Sequence, residues 1–546
     1  MEKKLFYNGK IVTMKDKVIY EALLIEDGRI KKVGNTEDLL KKIKEDDISI
    51  DLKGKTILPG FIDSHSHITA VGYDLMLVNV KPSPSGDCDS IDDIINKLKT
   101  ALEEDPPEDG EWLMAMGYDE SNLKEARIPN KNDLDKVSKD IPIIIIHTSG
   151  HAAVLNSKAL EILGYVGEGY KVPKGGAIGT FEGTNEPNGF IAEAALLGKE
   201  AQDKIPKIDT KKIFGAIIKA QDLYASNGYT TAQDAKTGKS EYELLSNLSK
   251  MGLLKIDVLS YSSPEVSDDI IKDDSINNID YNKHYRVAGY KFFLDGSPQA
   301  KTAWLSKPYY IPPEGKDTAY SGFRIHEDDE FIDICKKCIK NKWQINVHTN
   351  GDEAIEQFIR CYSKALKECS TDIGLRPVSV HCQTVREDQL NKMKKIGMIA
   401  TFFLDHVYYW GDYHYESVLG PERAERISPL ASAIRNGINY TMHQDSPVVK
   451  PNPIFAVYNA VNRLTKHGRV LGEEEKISVF DALKGITINA AYQIFEEDKK
   501  GTLEEGKLAD LVILDKNPLE ISELEIKNIK ILVTIKEGKT IYNLES

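Results

Sequence analysis

Two histidines one residue apart, His65 and His67, close the stretch ILPGFIDSHSH that runs from Ile57 to His67. Read as a short strand, the stretch sends Phe61, Asp63, His65 and His67 to one face and Ile62, Ser64 and Ser66 to the other. The two imidazoles then stand about 6 to 7 Å apart, close enough to converge on one cation. The Pro-Gly pair ahead of them starts a strand abruptly, and Asp63 is placed to hold the tautomer of the first histidine. A His-x-His pair also occurs on protein surfaces by chance, so a metal clip needs further ligands from elsewhere in the chain.

Later apolar runs offer such ligands at their ends. In WQINVHTNG (343–351) Gln344, Asn346 and His348 share a face, and in VSVHCQ (378–383) Ser379 and His381 do. In INYTMHQD (438–445) the shared face carries Asn439, Thr441, His443 and Asp445, and in YKFFLDG (290–296) it carries Lys291, Phe293 and Asp295. A polar residue at a strand end is also a common turn or capping feature, and Lys291 could simply pair with Asp295 on its own face. The weight lies in four strands placing an ionisable group at the same end.

The elements that must position these groups follow a βα rhythm. From about Lys211 onward, helical stretches alternate with strands read at 228–235, 253–261, 290–296, 343–351, 378–383, 397–406 and 438–445. With Ile57–His67 these make eight, the number of a (β/α)8 TIM barrel, whose active site lies at the strands' C-terminal ends. Residues 1–56 and 497–546 read instead as short strands with turns at Asn8-Gly9, Asp27-Gly28 and Glu537-Gly538. Neither end has enough strand to close a core alone, so the two are expected to form one small β-sandwich around a barrel of residues 57–72 and 211–496. Residues 73–210 exceed what the barrel needs and are expected to form an inserted subdomain over its mouth, its run IPIIIIHTSGH leading to His151.

The composition excludes several other classes. At 41% apolar and 29% charged the chain reads as globular, and no apolar run approaches the ~18 residues of a membrane span. A net charge of −14, from 85 acidic against 71 basic residues, argues against nucleic acid or an anionic membrane as partner. The first residues carry no secretory pattern and six cysteines are too few for a disulfide framework, so a cytoplasmic protein is expected. Cys335 and Cys338 form a CxxC on an amphipathic helix and read as buried small hydrophobes, since no second CxxC completes a zinc site. The commonness of two-fold assemblies makes a homodimer the expected oligomer.

With these residues in place, the chain resembles the amidohydrolase superfamily, and within it the YtcJ-like or amidohydrolase-3 branch that includes N-substituted formamide deformylases. The matching stretches are SGHAAVLNSKAL (149–160), YKFFLDGSPQ (290–299), HTNGD (348–352), VHCQ (380–383), DSPV (445–448) and GTLEEGKLADLVILD (501–515). They span nearly the full length in family order. One departure is His443-Gln444, where residues such as Gly-Ser are expected before Asp445.

The resemblance implies a metal-dependent (β/α)8 hydrolase of a small amide-like substrate. It assigns His65, His67, His348, His381 and Asp445 to two divalent cations, zinc first, with manganese or iron also compatible. Lys291 is implied as a carboxylated lysine bridging them. An ammonium between two cations would add to their repulsion, whereas a neutral lysine can take up CO2 and become an anionic carbamate. Hydroxide from an acidified water is then expected to attack the carbonyl, with Asp445 shuttling its proton to the leaving nitrogen. His151 is expected to touch the substrate or polarise its carbonyl, against the alternative of a histidine capping its turn; His406, Asp295 and Tyr118 are assigned to substrate contact. The aromatic run YYWGDYHY (408–415) reads equally as pocket wall, core or subunit contact. Alternatives are a mononuclear deaminase or cyclic-amide hydrolase of the same superfamily, or a metal-free barrel acting as a binding module.

Overall fold

In the computed structural model, which describes residues 3–83, 86–108, 110–148, 151–167, 169–206, 210–263, 266, 281, 283–313, 315–370 and 374–545, the βα rhythm resolves into one parallel sheet of eight strands. The strands are Phe61–Ile62, Tyr229–Thr237, Asp257–Ser262, Tyr285–Phe293, Gln344–Thr349, Val378–His381, Ile399–Phe403 and Tyr440–His443, neighbours following chain order. Most of their residues are buried, as strands covered on both faces must be. The two ends of the sheet are joined by hydrogen bonds rather than by a ladder. The Ser64 hydroxyl donates to the Met442 carbonyl at 2.8 Å, and the His67 N–H donates to the Ser446 carbonyl at 2.9 Å. An α/β fold with a curled eight-stranded parallel sheet fits a TIM barrel.

The single strand expected over Ile57–His67 is two strands in different sheets. Thr56–Pro59 pairs antiparallel with Leu511–Leu514, with Leu58 opposite Val512. The chain crosses to the barrel at Gly60, where a Cβ would lie 2.4 Å from the Thr230 side chain. Strand structure then stops at Ile62, and residues 63–67 form a tight bend, so loop geometry rather than strand alternation aims the two histidines.

Both ends of the chain meet in two further sheets. One has the order Arg29–Gly34, Ala22–Glu26, Lys3–Tyr7, Ile48–Asp51; the other runs Lys539–Asn543, Ile531–Lys536, Leu511–Leu514, Thr56–Pro59, Lys10–Val12, Ile19–Tyr20. Phe6, Leu23 and Ile25 from the first share a core with Ile57, Leu511 and Ile513 from the second. Asp27 and Gly28 (φ 49° and 76°) and Glu537 and Gly538 (φ 49° and 76°) close tight hairpins, as turns needing two positive φ values should. Asn8-Gly9 does not. Only Asn8 has a positive φ (55°), and the turn carries the chain from one sheet to the other, where a Cβ on Gly9 would lie 2.2 Å from the Leu52 side chain.

A buried ionic network ties these sheets to the start of the barrel strand Asp257–Ser262. Asp257 accepts from Lys536 at 2.7 Å and also from Lys500; Lys536 donates to Asp510 at 2.8 Å, and Lys500 pairs with Glu496 at 2.7 Å. Burial alone would raise the Asp257 carboxyl, but the two ammonium groups outweigh it and hold it well below the usual carboxylate range. A depressed carboxylate stabilises the fold above its unfolded value of ~3.9, and that contribution is lost as pH falls below it. Asp257→Ala, which removes the carboxylate two buried ammonium groups share and leaves Lys536 with Asp510 and Lys500 with Glu496, is expected to cost on the order of 3 kcal/mol in urea unfolding.

The chain divides into two compact units: Met1–Ile68 with Gln221–Pro447 and Pro451–Ser546, and Thr69–Ala220 with Val448–Lys450. The second unit has its own mixed sheet, in the order Gly176–Thr180, Pro187–Glu193, Ala152–Leu155, Ile143–His147, Leu113–Tyr118, Val78–Asn79. Its run of isoleucines has a plain cause. Ile143 and Ile145 face one core with Ile91, Ile94 and Leu98 of the helix Ile91–Glu104, while Ile144 and Ile146 face another with Leu160 and Leu163. A strand apolar on both faces is a central strand.

Cys335 and Cys338 lie buried on the helix Asp328–Lys340, and burial pushes the Cys338 thiol up to about 12, so both pack as small hydrophobes. Among the described residues no helix is long and apolar enough to cross a membrane.

Candidate metal centre

Successive barrel strands deliver one cluster of side chains. Lys291 lies on the strand Tyr285–Phe293, His348 on Gln344–Thr349, and His381 ends Val378–His381. His65 and His67 stand on the bend after Ile62, and Asp445 follows the strand Tyr440–His443. His381 and Asp445 hold left-handed backbone conformations (φ 69° and 53°), which non-glycine residues adopt at a cost and which concentrate at functional sites.

Asp445 is the point of convergence. Its Oδ1 lies 3.4 Å from His65 Nε2 and 3.3 Å from His67 Nε2, and its Oδ2 lies 3.9 Å from His381 Nε2. Lys291 Nζ is 3.1 Å from His65 Nε2. His348 stands beside His381, ring centroids 4.7 Å apart, so five of the residues converge on one point and the sixth adjoins them. Donor atoms of His65, His381 and Asp445 all lie within 4.8 Å of one another.

Burial dominates the electrostatics. It holds His65 and His381 well below the ordinary histidine range, with Lys291 adding to the effect at His65. Burial also lowers the Lys291 ammonium to about 7; Asp445 opposes the shift and Lys236 reinforces it. Burial by itself would raise Asp445, but the His67 contact and the His381 and His65 rings outweigh it and keep the carboxyl well below its usual range. The site therefore offers neutral imidazoles at His65 and His381, an ionised carboxylate at Asp445 and an amine at Lys291 that loses its charge near pH 7.

Asp295 braces the loops instead of pairing with Lys291. Its Oδ1 accepts the Asn350 N–H at 3.0 Å, and its Oδ2 accepts the Gly351 N–H at 2.7 Å and the Trp304 N–H at 3.1 Å. With both oxygens engaged and the side chain buried, Asp295 positions the His348 loop, His348 Nδ1 lying 3.4 Å from Oδ1. Asp63 likewise does not reach the His65 ring. It accepts the His65 backbone N–H at 3.2 Å and the Ser66 hydroxyl, while His65 Nδ1 is buried with no partner among the described residues.

His406 is buried in the first turn of the helix Asp405–Tyr413, its ring 4.3 Å from that of Phe403 and 6.2 Å from that of His381. Tyr408, Tyr409 and Trp410 follow on that helix, half-buried. Tyr118 and His151 belong to the second unit. Tyr118 is buried in that unit's core and its hydroxyl has no partner among the described residues; His151 is exposed, with Nδ1 3.4 Å from Glu193 Oε1. Ser149 and Gly150 of the SGH stretch lie outside the described residues.

The pair His443-Gln444 splits its directions. Gln444 turns to its own loop, accepting from Tyr229 at 3.0 Å and from the Asn452 N–H at 2.5 Å. His443 turns inward, its Nε2 3.0 Å from His381 Nδ1. Alternation along INYTMHQD puts His443 on the same face as Asp445, so the signal for it was present beside the residue it was set apart from. Lys236, whose Nζ lies over the Phe293 ring at 5.4 Å as Lys291 does at 5.0 Å, carries no comparable pattern.

Three imidazole nitrogens aimed at one carboxylate, beside a near-neutral amine, form a nitrogen and oxygen donor set suited to a divalent cation. A match to the amidohydrolase family covers residues 49–542. The chain is 24% identical to N-substituted formamide deformylase of Arthrobacter pascens over 95% of this chain and 94% of that protein. It is 25% identical to the putative amidohydrolase YtcJ of Bacillus subtilis (strain 168) over 99% of each. The crystal structure of an uncharacterized metal-dependent hydrolase from Pyrococcus horikoshii OT3 superposes with a TM-score of 0.75 at 26% identity, covering 96% of this chain and 99% of that one. Donor set, barrel and relatives agree: this chain belongs to the amidohydrolase family and is a metal-dependent hydrolase of carbon–nitrogen bonds.

Proposed function

We propose that the protein hydrolyses a non-peptide, amide-like C–N bond of a small molecule, using two divalent cations held by His65, His67, His348, His381, Asp445 and a carbamate on Lys291. The observation that carries this reading is the convergence of His65, His67 and His381 on Asp445 with the buried Lys291 amine 3.1 Å from His65. Divalent cations there supply Lewis acidity toward a carbonyl and acidity to water, zinc being the first choice with manganese or iron compatible. Among the described residues no carboxylate forms an ion pair with Lys291: Asp295 is engaged with backbone N–H groups, and the opposing pull of Asp445 does not offset burial; the neutral amine can bond to CO2 and release a proton. Asp445, ionised and central, can take a proton from the attacking water and pass it to the leaving nitrogen. His406 stands close enough to the cluster to line the substrate pocket, and His151 and Tyr118 are further substrate-contact candidates. The one-cation deaminase or cyclic-amide reading is favoured by a single feature, the tight trio of His65, His381 and Asp445 from which His348 stands apart.

Metal content and turnover of the full-length protein test both. Two equivalents of zinc per chain, with hydrolysis of N-substituted formamides or acyl-amino acids that chelation reduces by at least about a hundredfold, is the expected result. One equivalent with ammonia release from an amine, or with ring opening of a lactam, selects the second reading. Hydrolysis undiminished after exhaustive chelation ends both.

A further inference from the structure

We propose that His443 is a positioning residue that fixes His381 in the tautomer presenting its Nε2 lone pair to the cluster. The inference rests on the metal-centre reading above and adds what sets that ligand's orientation. Four buried links carry it: Ser64 Oγ to the Met442 carbonyl (2.8 Å), Ser64 Oγ to Thr401 Oγ1 (3.1 Å), Thr401 Oγ1 to His443 Nδ1 (2.9 Å), and His443 Nε2 to His381 Nδ1 (3.0 Å). Ser64, Thr401, His381 and His443 are all buried, so none exchanges these partners for solvent.

The direction of every link follows from the far end. A backbone carbonyl only accepts, so the Ser64 hydroxyl gives its proton to Met442. The Ser64 oxygen then accepts from the Thr401 hydroxyl, and the Thr401 oxygen, its own proton spent, accepts from His443 Nδ1–H. A neutral imidazole has one N–H, which leaves His443 Nε2 as an acceptor and obliges His381 to donate from Nδ1. His381 Nε2 is then the bare nitrogen, and it is the atom 3.9 Å from Asp445 Oδ2. A charged ring anywhere in the chain would break the order, and burial among other imidazoles opposes one. The main-chain carbonyl beside His443 thus dictates which nitrogen of His381 faces the site.

Zinc competition against a chromophoric chelator, thermal unfolding, and nitrogen-labelled histidine NMR of the full chain test this. His443→Phe keeps a ring but removes the acceptor, and is expected to weaken zinc binding about 10–100-fold. His443→Gln restores an acceptor near the Nε2 position and is expected to stay within about threefold of wild type. Thr401→Val, which removes only a hydroxyl, is expected to mix the His381 tautomers that in wild type are Nδ1–H alone. Wild-type zinc affinity in His443→Phe, or equal losses in the Phe and Gln variants with unfolding unchanged, overturns the proposal. So does a wild-type His381 signal of the Nε2–H form. A wild-type chain that takes up none of zinc, manganese and iron overturns the metal-centre reading instead, and the tautomer signal still decides this one.

Discussion

Asp445→Asn lowers kcat/KM by about a thousandfold or more while the protein still folds. Asparagine accepts no proton in the pH range of the reaction, and proton transfer by a positioned group supplies about 10²–10⁴-fold. The substitution also removes the one anion on which three imidazoles converge, so zinc affinity falls together with the rate. The fold should survive, because asparagine preserves shape and tolerates the left-handed backbone position well, while the loss of a carboxylate that the imidazoles hold ionised lowers the unfolding temperature. Steady-state kinetics, metal analysis and thermal unfolding on one preparation check it. Activity within tenfold of wild type, at full metal content, would remove Asp445 from the proton path.

Lys291→Ala is expected to cost on the order of a thousandfold in kcat, the several kcal/mol that metal polarisation contributes, and to leave at most one cation per chain. Removing a buried lysine usually strands a partner, but here the amine's hydrogen bond is to the His65 ring and, among the described residues, no carboxylate forms an ion pair with it, so stability should change little. Alanine also leaves a space where a short carboxylic acid can sit. Acetate or propionate is therefore expected to restore part of the lost rate in the variant and none in wild type. In wild type, labelled bicarbonate should give a carbamate carbon signal that Lys291→Ala lacks. A Lys291→Ala protein with two cations and normal turnover would show that no bridge is needed there.

The sequence carried much of this because period-two alternation survives in the later strands. His348 and His381 lie at or near the ends of their strands and Asp445 two residues past its own, and burial of both strand faces gave runs such as IIII that are hard to read as anything but sheet. Alternation failed at Asp63 to His67, where the chain leaves strand geometry at Ile62 and a bend aims the imidazoles; it also misplaced Asp63, which holds backbone N–H instead of a ring. Asn8-Gly9 has hairpin residues, yet the sheet it serves is chosen by packing against Leu52, which local sequence does not encode. Asp295 was legible as a polar strand-end residue but not as a brace, since its partners are backbone atoms at 304, 350 and 351. His443 was visible only as an oddity, because its meaning lies in the Thr401 and Ser64 hydroxyls from other strands.

The antiparallel pairing of Thr56–Pro59 with Leu511–Leu514 has a consequence for biosynthesis. While the chain emerges from the ribosome, the early strand offers an unsatisfied edge until Leu511–Leu514, on the far side of the barrel in sequence, has been translated. Such an edge invites pairing with another nascent copy. A stop codon shortly before Leu511 should therefore yield aggregates in place of a shortened enzyme, even though every barrel strand would be present.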